Sequence, residues 1–364
     1  MNDRLITATA LSLAHALCAA QNTAALVDPY DNFMAFESGL FEKVEGQRPL
    51  AFTVAGDQIG YVAYNGDLKV RAHGTTTRLE RVEGLRPVVT PHYIAYNNAG
   101  ALKVWDGNAL RTVCYTTGSF LAQDSLVAFF DAGRSLLNVF YDGRITLLED
   151  ALVNWPVDNW KASANVLAWL TTFDKKFKVF YQGGIYELND LVQQAEYQVG
   201  LDVVAYRDAS DQGFKVFHRG NLHDVEPFMP KSYQCGAGLV AYVDQSDELK
   251  VFQDGKVYTA MDFSPTSYQV VDSLVIIRDN DRMLVFEDGM TRPVAQFWPD
   301  KWQASWSSLI YLDNSNNVVM WKNGKSAVVL RGGPFDRLEL YRGLALAARG
   351  SRTQVWWNNE VFSY

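Results

Sequence analysis

The sequence predicts an all-β fold made of many small antiparallel sheets, on three observations. One strand-and-turn phrase recurs ten times, its copies stand about 35 residues apart, and no long segment carries helical spacing. The phrase is clearest in "LKVFQDG" from Leu249 and "MLVFEDG" from Met283. Its other copies begin at Phe33, Leu68, Leu102, Leu137, Phe177, Phe214, Val318 and Thr353, so that successive starts differ by 35, 34, 35, 40, 37, 35, 34, 35 and 35 residues. So regular a period over the whole chain is the mark of one supersecondary unit repeated.

Within each unit the strands follow in a fixed order. An opening strand such as "YQVVDS" is joined by a tight polar turn to a second strand, "LVIIRD". A short Asp, Asn or Ser turn ("NDR", "QSDE", "ASDQG") leads into the marker strand. A two-residue turn of the Asp-Gly, Asn-Gly or Arg-Gly kind then leads into a fourth strand such as "KVYTAMD"; such pairs favour the left-handed backbone of a two-residue hairpin. The next link, "FSPTS" or "FWPDK", is longer and carries Pro, which suits a chain leaving one sheet for the next. The second strands are apolar on both faces, as in "LVAFFD", and sheets stacked face to face bury both. A four-stranded antiparallel sheet of this length, repeated, is the blade of a β-propeller. The first unit lacks an opening strand after residue 20, so the count is nine full units and one partial, giving eight to ten blades, expected in one ring. The 40-residue spacing near 150–160 is the only candidate seam for a division into two propellers.

The "KVW" or "KVF" strand with its Asp-Gly turn, and the literal Trp105-Asp106 pair in "LKVWDG", make the units similar to WD40-like repeats. The resemblance runs from about residue 24 to the C-terminus, without that family's Gly-His element, and is nearer to the WD40-like repeats of secreted bacterial proteins than to eukaryotic scaffolds. It implies a propeller with a binding role and carries no chemistry.

Composition narrows the partners. A formal charge of −8 and a pI near 5.2 argue against nucleic acid, whose phosphates need a basic face, and against an anionic membrane surface. No run beyond the N-terminus is long enough to cross a bilayer. The apolar stretch from Leu5 to Ala20 ends in small residues and resembles a secretory signal cut after Ala20, leaving a repeat domain over 21–364 in the periplasm, outside the cell or on its surface. Cys114 and Cys235 fall at different strand positions of distant units, which makes a bridge between them unexpected.

The crossings between units share a pattern: aromatic, x, Pro, x, x, aromatic, Gln. It holds Phe228, Pro230, Tyr233 and Gln234; then Phe263, Pro265, Tyr268 and Gln269; then Phe297, Pro299, Trp302 and Gln303. Trp155, Pro156, Trp160 and Lys161 form a shifted copy, and Tyr197-Gln198 keeps the second half. Crossings lie on one face of a propeller, so these aromatics and amides are candidate ligand residues, apt to stack on sugar rings and bond their hydroxyls. The reading that comes first is that they wedge between blades, with Gln satisfying loop backbone, because repeats preserve packing before anything else. A second recurrence is the marker-strand lysine at 69, 103, 178, 215 and 250, which suits either a basic ring or pairing with acids such as Asp208 and Asp244.

Catalytic signals are sparse. His15, His73, His92, His218 and His223 form no HExxH or other metal-ligand spacing; His218 and His223 flank a hairpin turn, where one is expected to face solvent. The Asp-rich turns lack the D-x-D-x-D-G run of a calcium loop, and neither a G-x-S-x-G elbow nor a Gly-rich phosphate loop occurs. The expectation is therefore a non-catalytic exported binding scaffold with no cofactor and no metal, its partner a glycan or an envelope protein. The alternative is a polysaccharide-acting propeller enzyme with channel-facing carboxylates, a pair that 41 acids would hide.

Overall fold

A computed structural model of the chain describes residues 23–82, 84, 86–150, 160–190 and 196–364. The proposed leader, Trp155, Pro156 and most of the wide 150–160 spacing lie outside them.

The local code behaves as the turn chemistry requires. At the marker-to-outer hairpins, Asp254 and Gly255 have φ of 48° and 77°, and Asn323 and Gly324 have 49° and 74°. Two successive left-handed residues make the turn whose twist matches the flanking strands. Even Asn358-Asn359 adopts it, at 51° and 65°, because a short side chain that bonds its own backbone tolerates that region.

The described strands form ten antiparallel sheets, each ordered as the chain runs: nine of four strands and a first of three. They are blades 1 to 10, spanning residues 23–45, 51–81, 88–114, 117–150, 160–190, 197–226, 232–261, 267–295, 302–330 and 337–363. Blade 1 holds strands corresponding to the second, third and fourth of the other units, in keeping with the partial first repeat.

Ten apolar clusters decide how the sheets are arranged, because each draws on two consecutive blades. In Leu239–Val243, the second strand of blade 7, Val240 and Tyr242 pack toward blade 6 while Leu239, Ala241 and Val243 pack toward blade 8. Period-two alternation thus feeds two cores from one strand, the physical reason for its unbroken apolar sequence. Leu137, Leu148, Trp160 and Trp169 share one cluster, so the packing runs unbroken across the wide spacing between blades 4 and 5. The tenth cluster joins Ala24 and Phe36 of blade 1 to Leu344, Leu346 and Val355 of blade 10 and closes one ring.

That closure is made by faces, not by a shared sheet. All four strands of blade 10 come from the C-terminal 337–363, and Tyr364 pairs with Thr353 of the same blade. Across the seam Phe36 meets Phe362 at 5.3 Å and Trp357 at 6.4 Å, Phe41 meets Tyr364 at 5.3 Å, and the Tyr364 hydroxyl donates to Asp28 at 2.8 Å. Cys114 and Cys235 are free thiols in blades 3 and 7. No helix among the described residues is long and apolar enough to cross a membrane.

Candidate functional site

The opening strands of the blades line the ring's inner side, and their first residues come from the crossings. The structure divides the aromatics there into two groups. Trp160 and Tyr197 are 2% exposed; Trp160 sits in the core between blades 4 and 5, and Tyr197 lies 4.9 Å from Phe177 with Lys161 Nζ 4.4 Å over its ring. Tyr233, half-buried, packs edge-on against Phe214 of the preceding blade at 5.3 Å. These rings wedge adjacent blades. Tyr268 is half-buried with its hydroxyl 2.9 Å from that of Ser232, and Trp302, also half-buried, stands edge-to-face on Trp298 at 5.7 Å.

The amides beside them have a shared job. Gln198 donates to Tyr233 O at 2.8 Å and accepts from Cys235 N–H at 3.4 Å. Gln234 repeats this one blade on, donating to Tyr268 O at 3.2 Å and accepting from Val270 N–H at 2.8 Å. Gln303 accepts from Leu340 N–H at 2.8 Å, and Lys161 donates to Tyr197 O at 2.8 Å in the equivalent place. Each amide imitates a stretch of strand and satisfies the inner edge of the next blade, where backbone groups would otherwise lack partners. Gln269, exposed, makes no such bond among the described residues.

Four of the five marker-strand lysines are also committed. Lys215 Nζ lies 2.5 Å from the fully buried Asp208, and Lys250 2.7 Å from Asp244. Lys69 and Lys103 instead reach back to the preceding blade, to Glu45 and Glu80, each at 2.7 Å. Those glutamates are the residues that sequence reasoning missed. Glu45, Glu80, Glu149 and Glu226 each stand opposite the first marker residue of their own blade, beside a bulge in the outer strand. A bulge re-aims the side chains around it, and here the carboxylates turn to the next blade. They accept from Tyr61, Tyr96, Trp169 Nε1 and Tyr242, at 2.9, 2.8, 3.1 and 2.9 Å. A signal was present: each Glu follows its marker start by twelve residues.

His218 is buried and His223 half-buried, both packed on Phe252; burial lowers the pKa of His218. Among the described residues no group of three His, Cys, Asp or Glu side chains could hold a metal ion.

Two hollows open along the crossings. One, about 480 Å³, lies between blades 9 and 10 and is lined by Asp300, Lys301, Trp302, Gln303, Asp336 and Arg337, with Leu338. The other, about 540 Å³, lies between blades 10 and 3, where the opening strands of blades 10 and 2 flank blade 1. Arg337 lines both.

Ten sheets in a ring with ten inter-blade cores agree with the sequence match to a 10-bladed beta propeller domain over residues 17–362. The chain belongs to this family. Among solved structures, the ten-bladed propeller is similar to the WD40 ectodomain of the receptor kinase ACR4 from Arabidopsis thaliana, at 8% identity over 76% of this chain and 97% of that one, TM-score 0.36. It is also similar to apo AztD from Citrobacter koseri, at 13% identity over 84% and 92%, TM-score 0.35. A computationally designed protein, Ika8, matches at 15% over 76% and 94%, TM-score 0.33. Likenesses this distant transfer no function. No curated protein matches the sequence.

Proposed function

We propose that this ten-bladed propeller is an exported, non-catalytic scaffold that binds a glycan at the crossing face, with an envelope protein as the competing partner. The observation that carries the reading is the 480 Å³ hollow between blades 9 and 10, where an accessible indole, an amide and charged groups converge. An aromatic wall with a few placed polar groups is the composition of a saccharide site, and the volume is in the range for small-ligand pockets. Trp302 packs partly on the core between blades 8 and 9, and the part of its indole left open lines the hollow and offers a stacking surface. Gln303 keeps its amide nitrogen for a hydroxyl, since Leu340 N–H takes only its oxygen. Export rests on the apolar stretch over residues 5–20.

Titrating the purified protein with soluble polysaccharides while following tryptophan fluorescence tests this. Saturable quenching is expected; Trp302→Ala should weaken it at least tenfold while also lowering the unfolding midpoint, since the ring packs on the blade 8–9 core, and Gln303→Ala, at an exposed residue, should weaken it with the midpoint unchanged. Flat titrations across neutral and charged polysaccharides would overturn the glycan reading and leave an envelope protein as the partner.

A further inference from the structure

We propose that the hollow between blades 10 and 3 is a subsite for a carboxylate-bearing sugar, selecting acidic glycans over neutral ones. This rests on the glycan reading above and extends it to a substrate class. The 540 Å³ space is lined by Arg48, Arg86 and Arg337 and by no acid, in a chain whose 41 acids outnumber its 33 Lys and Arg. Three guanidiniums around one hollow therefore run against the composition of the molecule.

The three arrive by a common route. Arg48-Pro49 and Arg86-Pro87 are the crossings into blades 2 and 3, and Arg337 begins the opening strand of blade 10. Ring closure brings position 337 beside 48 and 86. Their charges are unequally spent. Arg337 is held by Glu339 at 2.5 Å, and that carboxylate also accepts from the Tyr341 hydroxyl at 2.7 Å. Arg48 reaches Asp31 only at 3.5 Å, with both side chains mostly exposed, a contact of little energetic weight. Arg86 makes no ion pair among the described residues. Arg48 and Arg86 are thus available to a ligand, and a guanidinium binds a carboxylate through two parallel hydrogen bonds.

The rest of the lining supplies apolar contact of the kind a sugar ring takes. Pro49 and Pro87 have no N–H, and the Leu50 N–H is already donated to Val62 O at 2.8 Å. The edge of Ala51–Ala55 that faces away from Gln58–Val62, however, pairs with no strand, so a peptide is the competing occupant that the experiment must separate. Apolar surface comes from Pro87 and the 61%-exposed Leu50, with Thr53 also in the lining. Arg337 also lines the Trp302 hollow, which places the charge-reading subsite next to the stacking one.

The test compares a galacturonate hexamer, its methyl ester, a neutral cello-oligosaccharide and a hexaglutamate peptide, by calorimetry in low and high salt. The proposal expects the free acid to bind at least tenfold tighter than its ester, with the gap closing as salt screens it. Arg48→Ala/Arg86→Ala should erase the gap and leave binding of the neutral oligosaccharide unchanged. Both arginines are exposed, so the unfolding midpoint should hold. Equal affinity for acid and ester, or a preference that survives the double variant, overturns the proposal. So does hexaglutamate binding as tightly through the same arginines, which would make the occupant a peptide. Neutral sugars bound through Trp302 without acid preference would sink this inference alone. Absence of all saccharide binding would sink both readings.

Discussion

Replacing Phe36 with alanine is expected to destabilise the protein by about 3–5 kcal/mol, the cost of removing a large side chain from a closed core. Phe36 is fully buried and touches Phe41 in its own blade and Trp357 and Phe362 across the seam. The loss should be localised, because the seam is held by side-chain faces with no shared strand. Hydrogen exchange should show protection falling first in residues 23–45 and 337–363, with the middle blades keeping theirs. Uniform loss over all ten blades would show that the seam has no stability of its own. A comparable cavity at Phe177, between blades 5 and 6, should cost a similar amount and leave the seam protected.

The second large effect is expected at Glu80. Its carboxylate accepts from Tyr96 at 2.8 Å, Asn98 at 2.7 Å and Lys103 at 2.7 Å, so one side chain of blade 2 holds three groups of blade 3. Lys103 and Glu80 are each 24% exposed and Tyr96 is 1% exposed, so solvent cannot readily replace the lost partner. Glu80→Gln should cost about 2–3 kcal/mol in urea unfolding. Removing the exposed Arg278–Asp281 pair, in which Asp281 is 88% exposed, should change stability by under about 0.5 kcal/mol.

The same site predicts a pH dependence. Burial raises the pKa of Glu80, but the bonds from Lys103, Tyr96 and Asn98 outweigh it and hold the carboxyl below the ordinary glutamate value of 4.5. A group whose pKa is depressed on folding contributes its full stability above the unfolded pKa and loses it as pH falls through the folded one. The advantage of wild type over Glu80→Gln should therefore be constant from pH 7 to about 5.5 and shrink below about 4.5. An advantage that persists unchanged to pH 3 would mean that the carboxylate charge does not matter.

Repetition made the architecture legible in the sequence. The spacing of the marker strand, the Asp-Gly turns and the doubly apolar second strands each report a local property, and ten copies average out the noise in any one. The expected range of eight to ten blades resolved to ten sheets, and they close in one ring because Phe36 packs on Trp357 and Phe362 near the other end of the chain, which no local pattern encodes. The crossing aromatics were visible as a pattern, but their direction was not. A Tyr or Trp at the start of an opening strand can face the channel or wedge the neighbouring blade, and Tyr197 and Trp302 share the motif with different surroundings. The inter-blade glutamates escaped notice because acids at strand ends read as solvent-facing until a bulge turns them. Arg48, Arg86 and Arg337 could not have been grouped at all before the ends of the chain met.

Nine of the ten joints are made between blades adjacent in the chain, and only the tenth brings residues from opposite ends together. Folding can therefore grow blade by blade at short range, and the meeting of the two ends carries a loop-closure cost paid once, last and slowly varying with length. The position of that costly joint follows from which two blades lie farthest apart in chain order. A permuted chain opened at the crossing between blades 7 and 8, its old ends linked, would keep every inter-blade core while turning the Phe36 seam into an ordinary neighbour contact. In such a molecule the blade 7–8 core, built on Leu239, Val251 and Ile277, would become the closing step.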